Sequence, residues 1–347
     1  MVNDTKKKGH ITQGVVSVYF RVDADKKTGL GHLSRCRSLM LGFLNLTKCH
    51  FTIETNNKDV VRKFIPDIDY DIYVRRNSPK EARFDMAIAD LLTIDQKEAK
   101  HIKGLSGMTV CIDDEGPGLN GQDYLIRPNL LGLPKTPGIP SDKYLTGRDY
   151  IIMHPDFAAL AFKKNKISAK VKKVLVCFGG SDSGNLMLRV VPLLKKLKHS
   201  IKFHVILGAA VAQVGKITSI LKNDARFIIS RNIAHIADAL SQADVAFLSA
   251  GTLLYEACCL GVPALVVSQN EQQEKEARIF DTAGAVVSLG MHSDVSDERI
   301  VHAAEELLEN YPMRKNMAYK GKNLIASNGT VRIASRLLAY LKREARR

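Results

Sequence analysis

The sequence predicts an α/β protein made of two domains, each a parallel β-sheet covered by helices, facing each other across a cleft. Three observations lead there. The 347 residues amount to about two domains at roughly 150 residues each. Short apolar runs with strand character alternate with helix-like segments, the pattern of parallel sheets buried on both faces. The alternation comes in two series, separated by the basic stretch KKNKISAKVKK at 163–173, which is poor in apolar residues and reads as a linker.

Residues 1–14 form a loose polar tail by composition. VVSVYFRVD (15–23) reads as a buried strand, followed by a glycine-containing loop and a helix near 32–45. CHFTIET, YDIYV, MAIAD and MTVCID continue the first series, and the region 115–147, rich in Gly, Pro and Asn, reads as loops. KKVLVCFGG (172–180) opens the second series, which runs through IKFHVILG, RFIIS, DVAFLSAG, PALVVSQ and GAVVSLG. A last helix at about 330–345 follows SNGT, a capping sequence. The expected domains are therefore 15–162 and 172–329, with a terminal segment 330–347 free to pack back on the first. No repeat of 20–50 residues is present.

Composition narrows the class. Apolar residues make up 45% and charged residues 25%, values of an ordinary globular chain. The longest apolar runs, around 203–215 and 257–270, are too short for a membrane span and contain Gly or Pro. The N-terminus MVNDTKKKGH lacks the apolar core of a signal peptide, so a cytoplasmic protein is expected. The six cysteines (36, 49, 111, 177, 258, 259) form no C-x-x-C pair and mostly sit in apolar runs, as buried reduced thiols do. The net charge of +15 gathers at Lys6–Lys8, 163–173, 195–199 and the terminal KREARR. These patches carry few aromatics, and there is no Trp, so a nucleic-acid partner is not expected. An anionic small substrate, or peripheral contact with an anionic membrane surface, accounts for them better.

Three segments carry the candidate chemistry. In RVDADKKTGLGHLSRCRSLM (21–40) a strand ends at Arg21–Asp23, and Gly29 and Gly31 then open a helix at His32, where backbone N–H groups and the helix N-terminus favour an anion. The same helix start disfavours an imidazolium and leaves His32 able to accept a proton. Arg35 lies on the same helix face. In VLVCFGGSDSGNLMLRVV (174–191) a strand runs into Gly179-Gly180, then Ser181, Asp182 and Asn185. That turn suits a phosphate, or else Ser181 or Asp182 simply caps the helix. In 244–277 a strand leads into Gly251-Thr252 and a helix carrying Glu256, a carboxylate in an apolar stretch that wants a partner. Ribose hydroxyls or a basic neighbour would both serve. The following strand ends at Gln269-Asn270-Glu271-Gln272-Gln273. Asp113-Asp114, at another strand end, could bind an ion. No Asp-x-Asp motif stands in a convincing place, so neither metal nor cofactor is expected.

These motifs resemble the GT-B sugar-nucleotide proteins, most of all the pseudaminic-acid pathway hydrolases that remove UDP from a deoxy-diacetamido sugar. The resemblance runs from about 15 to 340 through RVDADKKTGLGHLSRC, CIDDEG, GRDYIIMHPDF, FGGSDSGNL, AGTLLYEACCLGVP and NGTVRIA. It implies a sugar and catalytic N-terminal domain and a nucleotide-binding C-terminal one. It makes His32 the catalytic histidine and Gly251, Thr252 and Glu256 the nucleotide site, with Glu256 on the ribose. It implies that Gln273 lies near the sugar and phosphates, together with a UDP-sugar substrate, and it puts Asp113-Asp114 in a structural role. Two positions depart from the pattern: Gln272-Gln273 replaces an Asn-Gln pair, and Asp90-Leu91-Leu92 stands where a tyrosine is common. SQNEQQ also resembles a Gln-rich stretch of the related lipid II N-acetylglucosaminyltransferase, which keeps glycosyl transfer as the alternative to hydrolysis. A catalytically silent sugar-nucleotide-binding protein is the third reading. Arg21, Asp23, Gly29, Gly31, Arg35, Gly180, Ser181, Asn185, Gln272 and Gln273 are the expected substrate-binding set.

Overall fold

The computed structural model describes residues 14–24, 30–75, 83–112, 116, 121–131, 140–163, 167–197, 200–231, 233 and 236–344. The chain divides into two compact units. One runs to Pro155 and takes back the segment from Asn328 onward; the other is Asp156–Ser327.

The first unit is a sheet of β1 (Val16–Val22), β2 (Cys49–Thr55), β3 (Asp71–Val74), β4 (Met86–Asp90), β5 (Thr109–Ile112), β6 (Tyr124–Arg127) and β7 (Tyr144–Thr146). Their order is β3-β2-β1-β4-β5-β6-β7, and every pairing is parallel. Helices α1 (Gly31–Leu44), α2 (Lys58–Phe64) and α3 (Gln96–Leu105) connect the strands. Alternate residues of β1 serve two cores. Val18, Phe20 and Val22 pack with Leu39, Met40 and Phe43 of α1, while Tyr19 joins Ala87, Ala89 and Ile102 in another cluster. The two strands β6 and β7 fall where the composition of 115–147 reads as loops. Strands of four and three residues among Gly and Pro leave too short an apolar run to register.

The second unit repeats the plan with β8 (Lys173–Cys177), β9 (Lys202–Leu207), β10 (Phe227–Arg231), β11 (Val245–Leu248), β12 (Ala264–Ser268) and β13 (Val287–Met291). The order is β10-β9-β8-β11-β12-β13, again all parallel. Its helices are α4 (Asp156–Lys163), α5 (Leu186–Lys196), α6 (Val214–Leu221), α7 (Ile236–Gln242), α8 (Thr252–Leu260), α9 (Glu271–Thr282), α10 (Asp297–Glu309) and α11 (Tyr311–Leu324). The last helix, α12 (Gly329–Glu344), belongs to the first unit. Its Ile333, Ala334 and Leu337 enter the α1 core, and Thr330 exchanges hydrogen bonds with the Met153 backbone at 2.9 and 2.6 Å.

The basic stretch 163–173 is not where the units divide. Ser168 Oγ and the backbone N–H of Lys172 and Lys173 donate to the Asp244 carboxylate at 2.7, 2.8 and 3.0 Å. The buried Arg314 donates to the carbonyls of Ser168 and Ala169 at 3.2 and 2.8 Å. That segment is tied into the second unit, and α4 lies in this unit too, so the 15–162 boundary gives way to Pro155/Asp156. All six cysteines are free thiols. Among the described residues no helix is long and apolar enough to cross a membrane.

Each sheet has one topological switch point, where the strand order reverses: between β1 and β4 in the first, and between β8 and β11 in the second. In open parallel sheets ligands bind at the carboxyl ends of the strands flanking such a point.

Candidate functional site

At the first switch point, β1 runs out at Val22 and α1 begins at Gly31, which places His32 in the first turn of the helix. Across from it, β4 ends on Asp90, fully buried at the carboxyl edge of the sheet. His32 Nδ1 lies 2.5 Å from Asp90 Oδ1. One turn along α1, Arg35 donates to the same carboxylate from Nε at 2.9 Å and from Nη2 at 2.7 Å. Burial alone would raise the Asp90 pKa, but the Arg35 guanidinium and the hydrogen bonds from Arg35 and His32 reverse that and hold it below the usual carboxylate range.

This fixes the proton positions. An ionised carboxylate only accepts, so the proton between Asp90 and His32 sits on Nδ1, and in the neutral form of the ring Nε2 is the acceptor. The Arg35 Nη2 group also approaches Nδ1, at 3.0 Å, but a guanidinium has no acceptor, so its bond goes to Asp90. The His32 side chain is 13% exposed and borders a cavity of about 200 Å3 shared with Leu91, Leu92 and Thr93.

Arg21 and Asp23 form the wall behind this cavity. Arg21 is 1% exposed. It donates from Nε to Glu98 at 2.7 Å and from both terminal nitrogens to Asp23 at 2.6 and 3.2 Å. Asp23 also accepts the Asn56 N–H at 3.1 Å, and Arg75 reaches the second oxygen of Glu98. Every nitrogen of the Arg21 guanidinium thus has a carboxylate partner, which makes this pair a support for the site. Gly31 is exposed at the start of α1. Gly29 lies outside the described residues, as do Asp113 and Asp114.

At the second switch point, β8 runs into an exposed turn, Gly179-Gly180-Ser181, in which Gly179 has φ +86°. The turn packs so closely on the end of β9 that a Cβ on Gly208 would lie 2.3 Å from the Gly180 carbonyl oxygen. Asp182 resolves the capping question: its two oxygens accept the Leu186 and Met187 N–H groups at 2.9 Å each, which leaves Ser181 exposed and not the cap. Asn185, with φ +50°, accepts from Gln213 at 3.2 Å.

After β11, Gly251 precedes α8 and Thr252 opens it, and one turn further stands Glu256, 7% exposed. No hydrogen bond or ion pair meets its carboxyl among the described residues, and burial pushes its pKa up from 4.5 to about 8. The thiol of Cys177 beside it is pushed up to about 11, by burial first, so it offers no charge either. A basic neighbour, one of the two partners expected for Glu256, is not found among the described residues.

Two residues that organise these sites escape sequence reasoning. Asp90 stands in the quoted MAIAD strand, where a terminal carboxylate on a parallel strand was the available signal. Gln269, at the end of β12, knits the second site. It donates to the Phe178 carbonyl at 2.7 Å and to Ser249 Oγ at 2.8 Å, and accepts from Gly184 N–H at 2.8 Å and Ser183 Oγ at 3.3 Å. Gln273 turns back to accept the Gln269 N–H at 2.9 Å, while Gln272 is exposed on the first turn of α9. Among the described residues no group of three or more His, Cys, Asp or Glu could hold a metal ion.

No protein-family model matches the sequence. The spore coat polysaccharide biosynthesis protein SpsG of Bacillus subtilis is 26% identical over 93% of this chain and 98% of its own length. The UDP-2,4-diacetamido-2,4,6-trideoxy-beta-L-altropyranose hydrolase of Campylobacter jejuni is 24% identical over 76% of this chain and 95% of its own. Among solved structures, MurG of Acinetobacter baumannii superposes with a TM-score of 0.64 at 14% identity, covering 93% of this chain and 99% of that one. With two parallel-sheet domains of this strand order, the chain has the GT-B fold, and it is similar in sequence to SpsG and to the altropyranose hydrolase.

Proposed function

We propose that the chain hydrolyses a UDP-activated deoxy amino sugar, releasing UDP and free sugar, in the cytoplasmic stages of making a nonulosonic acid or surface polysaccharide. The observation that carries this reading is His32 held at Nδ1 by an ionised Asp90, with Nε2 as acceptor beside a cavity. In the proposed step a water oxygen bonds to the anomeric carbon from the face opposite the diphosphate. The bond from that carbon to the phosphate oxygen breaks, and its electron pair leaves with UDP. His32 Nε2 takes the water proton, and Asp90 stabilises the imidazolium so formed. The backbone N–H groups of Gly180-Ser181 and the start of α8 suit the diphosphate, whose low basicity makes a dedicated acid unnecessary. Glu256, buried without a partner among the described residues, suits the ribose diol. The Campylobacter relative, a UDP-2,4-diacetamido-2,4,6-trideoxy-beta-L-altropyranose hydrolase, supports the same class of substrate.

The likeness to MurG keeps a second reading, transfer to an acceptor hydroxyl that takes the water's place at His32. One experiment separates them: a panel of UDP-sugars incubated in 18O-water without acceptor, followed by mass analysis. Hydrolysis as proposed puts one 18O in the sugar and none in UDP. Turnover that begins only when an acceptor is added means transfer, and binding without turnover in either case means a silent binding protein.

A further inference from the structure

The amino-terminal edge of the first sheet carries a feature that catalysis at the other edge does not use. Strands β1, β2 and β4 begin there, and an apolar groove of about 420 Å3 runs between them and the last turns of α12. Val16, Leu46, Leu338 and Leu341 line it. Beside it, Leu44 at the end of α1 and Leu46 on the turn into β2 are each 43% exposed, and Val15 is 36% exposed. Leucines at exposed positions gain nothing from folding. Cations lie beside them: Lys48 follows the turn, and Lys342 and Arg343 stand in the last turn of α12 ahead of its final residue, Glu344, all four exposed. The acid within the groove, Asp85, is engaged by the Ser17 N–H and hydroxyl, at 2.8 Å each.

We propose that this edge docks on an anionic lipid bilayer, with Leu44, Leu46 and Val15 entering the interface and the cations meeting the headgroups. Charge argues for a bilayer over a second copy of the chain. A symmetric pairing on this face would set Lys48, Lys342 and Arg343 against their own like, whereas an anionic surface matches all of them. The geometry is compatible with the chemistry. Strand β1 spans seven residues, about 20 Å, so the edge that carries His32 stays in water when the opposite edge is docked.

The test is co-sedimentation of the full chain with vesicles of phosphatidylcholine alone and of an equal mixture with phosphatidylglycerol. Binding is expected on the mixed vesicles only, falling as salt is raised. Replacing both Lys342 and Arg343 by Glu should weaken it by about 25-fold or more, at about fivefold per cation. Leu44→Ser with Leu46→Ser should weaken it about tenfold, and both pairs of substitutions lie on exposed positions, so a circular dichroism spectrum like the parent's is expected. Equal binding to neutral vesicles, no binding at low salt, or unchanged binding by both variants would overturn the proposal. So would a dimer in light scattering that Leu46→Glu abolishes. Turnover plays no part in these measurements, so their failure leaves the catalytic reading untouched.

Discussion

At the switch point of the first sheet every buried charge has a partner: Asp90 holds His32 and Arg35, and Arg21 is shared among Asp23, Glu98 and the nearby Glu54. At the switch point of the second sheet, built on the same strand order, Glu256 is buried with no partner among the described residues, and the glycine turn after β8 is exposed. The first arrangement is set before anything binds, as a proton-transfer site must be, because an imidazole aimed by a carboxylate needs no rearrangement when charge develops. The second leaves a cost outstanding. A carboxyl without hydrogen bonds in an apolar surround is unfavourable until a ligand supplies them, which is how a binding site holds affinity in reserve. Under the proposed function, the first sheet is the one organised for chemistry and the second the one organised for capture.

Breaking the organised half should cost most. His32→Ala is expected to lower turnover by about 10²–10⁴-fold while leaving UDP affinity nearly intact. A folded His32→Ala protein that keeps more than about a tenth of the parental rate would end the assignment of His32 as the base. Asp90→Asn tests the other member. An amide can donate to Nδ1, which would move the imidazole proton to Nε2 and block its acceptor, so a loss on the order of 10²-fold or more per folded molecule is expected. Near-normal turnover of Asp90→Asn, measured with calorimetric UDP binding as the control for folding, would show that the contact is merely structural.

The strand and helix plan of both halves was legible because the signal is apolar periodicity. The runs MAIAD and VLVC become β4 and β8, buried almost throughout. What was not legible depends on partners far away in sequence. The stretch 163–173 has a linker's composition, yet Asp244 and Arg314, some 70 and 145 residues on, pin it through backbone groups that composition does not encode. Arg21 looks like a ligand residue at a strand end until Glu98 is found on its Nε. Asp90 reads as the loss of a family tyrosine, whereas the fold places it 58 residues away from His32 in sequence and in contact in space. Glu256 was legible because its oddity is local: a carboxylate in an apolar helix is visible without any partner being known.

The capture half makes a paired prediction. Glu256→Ala should weaken UDP binding about ten- to a hundredfold, the loss of ribose hydrogen bonds at roughly 1–3 kcal/mol. Unchanged affinity by calorimetry would place the nucleotide elsewhere. The unliganded protein gives an independent check through pH. Its Glu256 pKa of about 8 lies above the ordinary 4.5, so the folded chain keeps a proton that the unfolded chain has lost between those values. Stability is therefore expected to fall as pH rises through that window and to level off above it. Glu256→Gln lacks the titration, so its Tm advantage over the parent should widen from about pH 5 to about pH 9. A constant difference would mean that Glu256 has a partner in solution, and the contrast between the halves would dissolve.

The smallest effects sharpen the same contrast within two adjacent residues. Ser181 and Asp182 follow one glycine turn; both were candidates to cap α5, and Ser181 was also a candidate to meet a phosphate. Asp182 is buried and caps the helix with both oxygens, while Ser181 is exposed and makes no hydrogen bond among the described residues. Asp182→Asn keeps a residue type that tolerates its positive φ but loses one of the two capping acceptors, so it should cost about 1 kcal/mol in denaturant unfolding and leave UDP affinity alone. Ser181→Ala should do the reverse, with unfolding unchanged and UDP affinity lowered about two- to tenfold, the worth of one hydrogen bond to a charged group exposed to water. The two measurements are meaningful only together. If both variants lose stability and neither loses affinity, the turn is only a helix start and the diphosphate lies elsewhere. If the losses separate as expected, the second sheet divides its polar groups as the first does, with one residue holding the frame and its neighbour left open for the ligand.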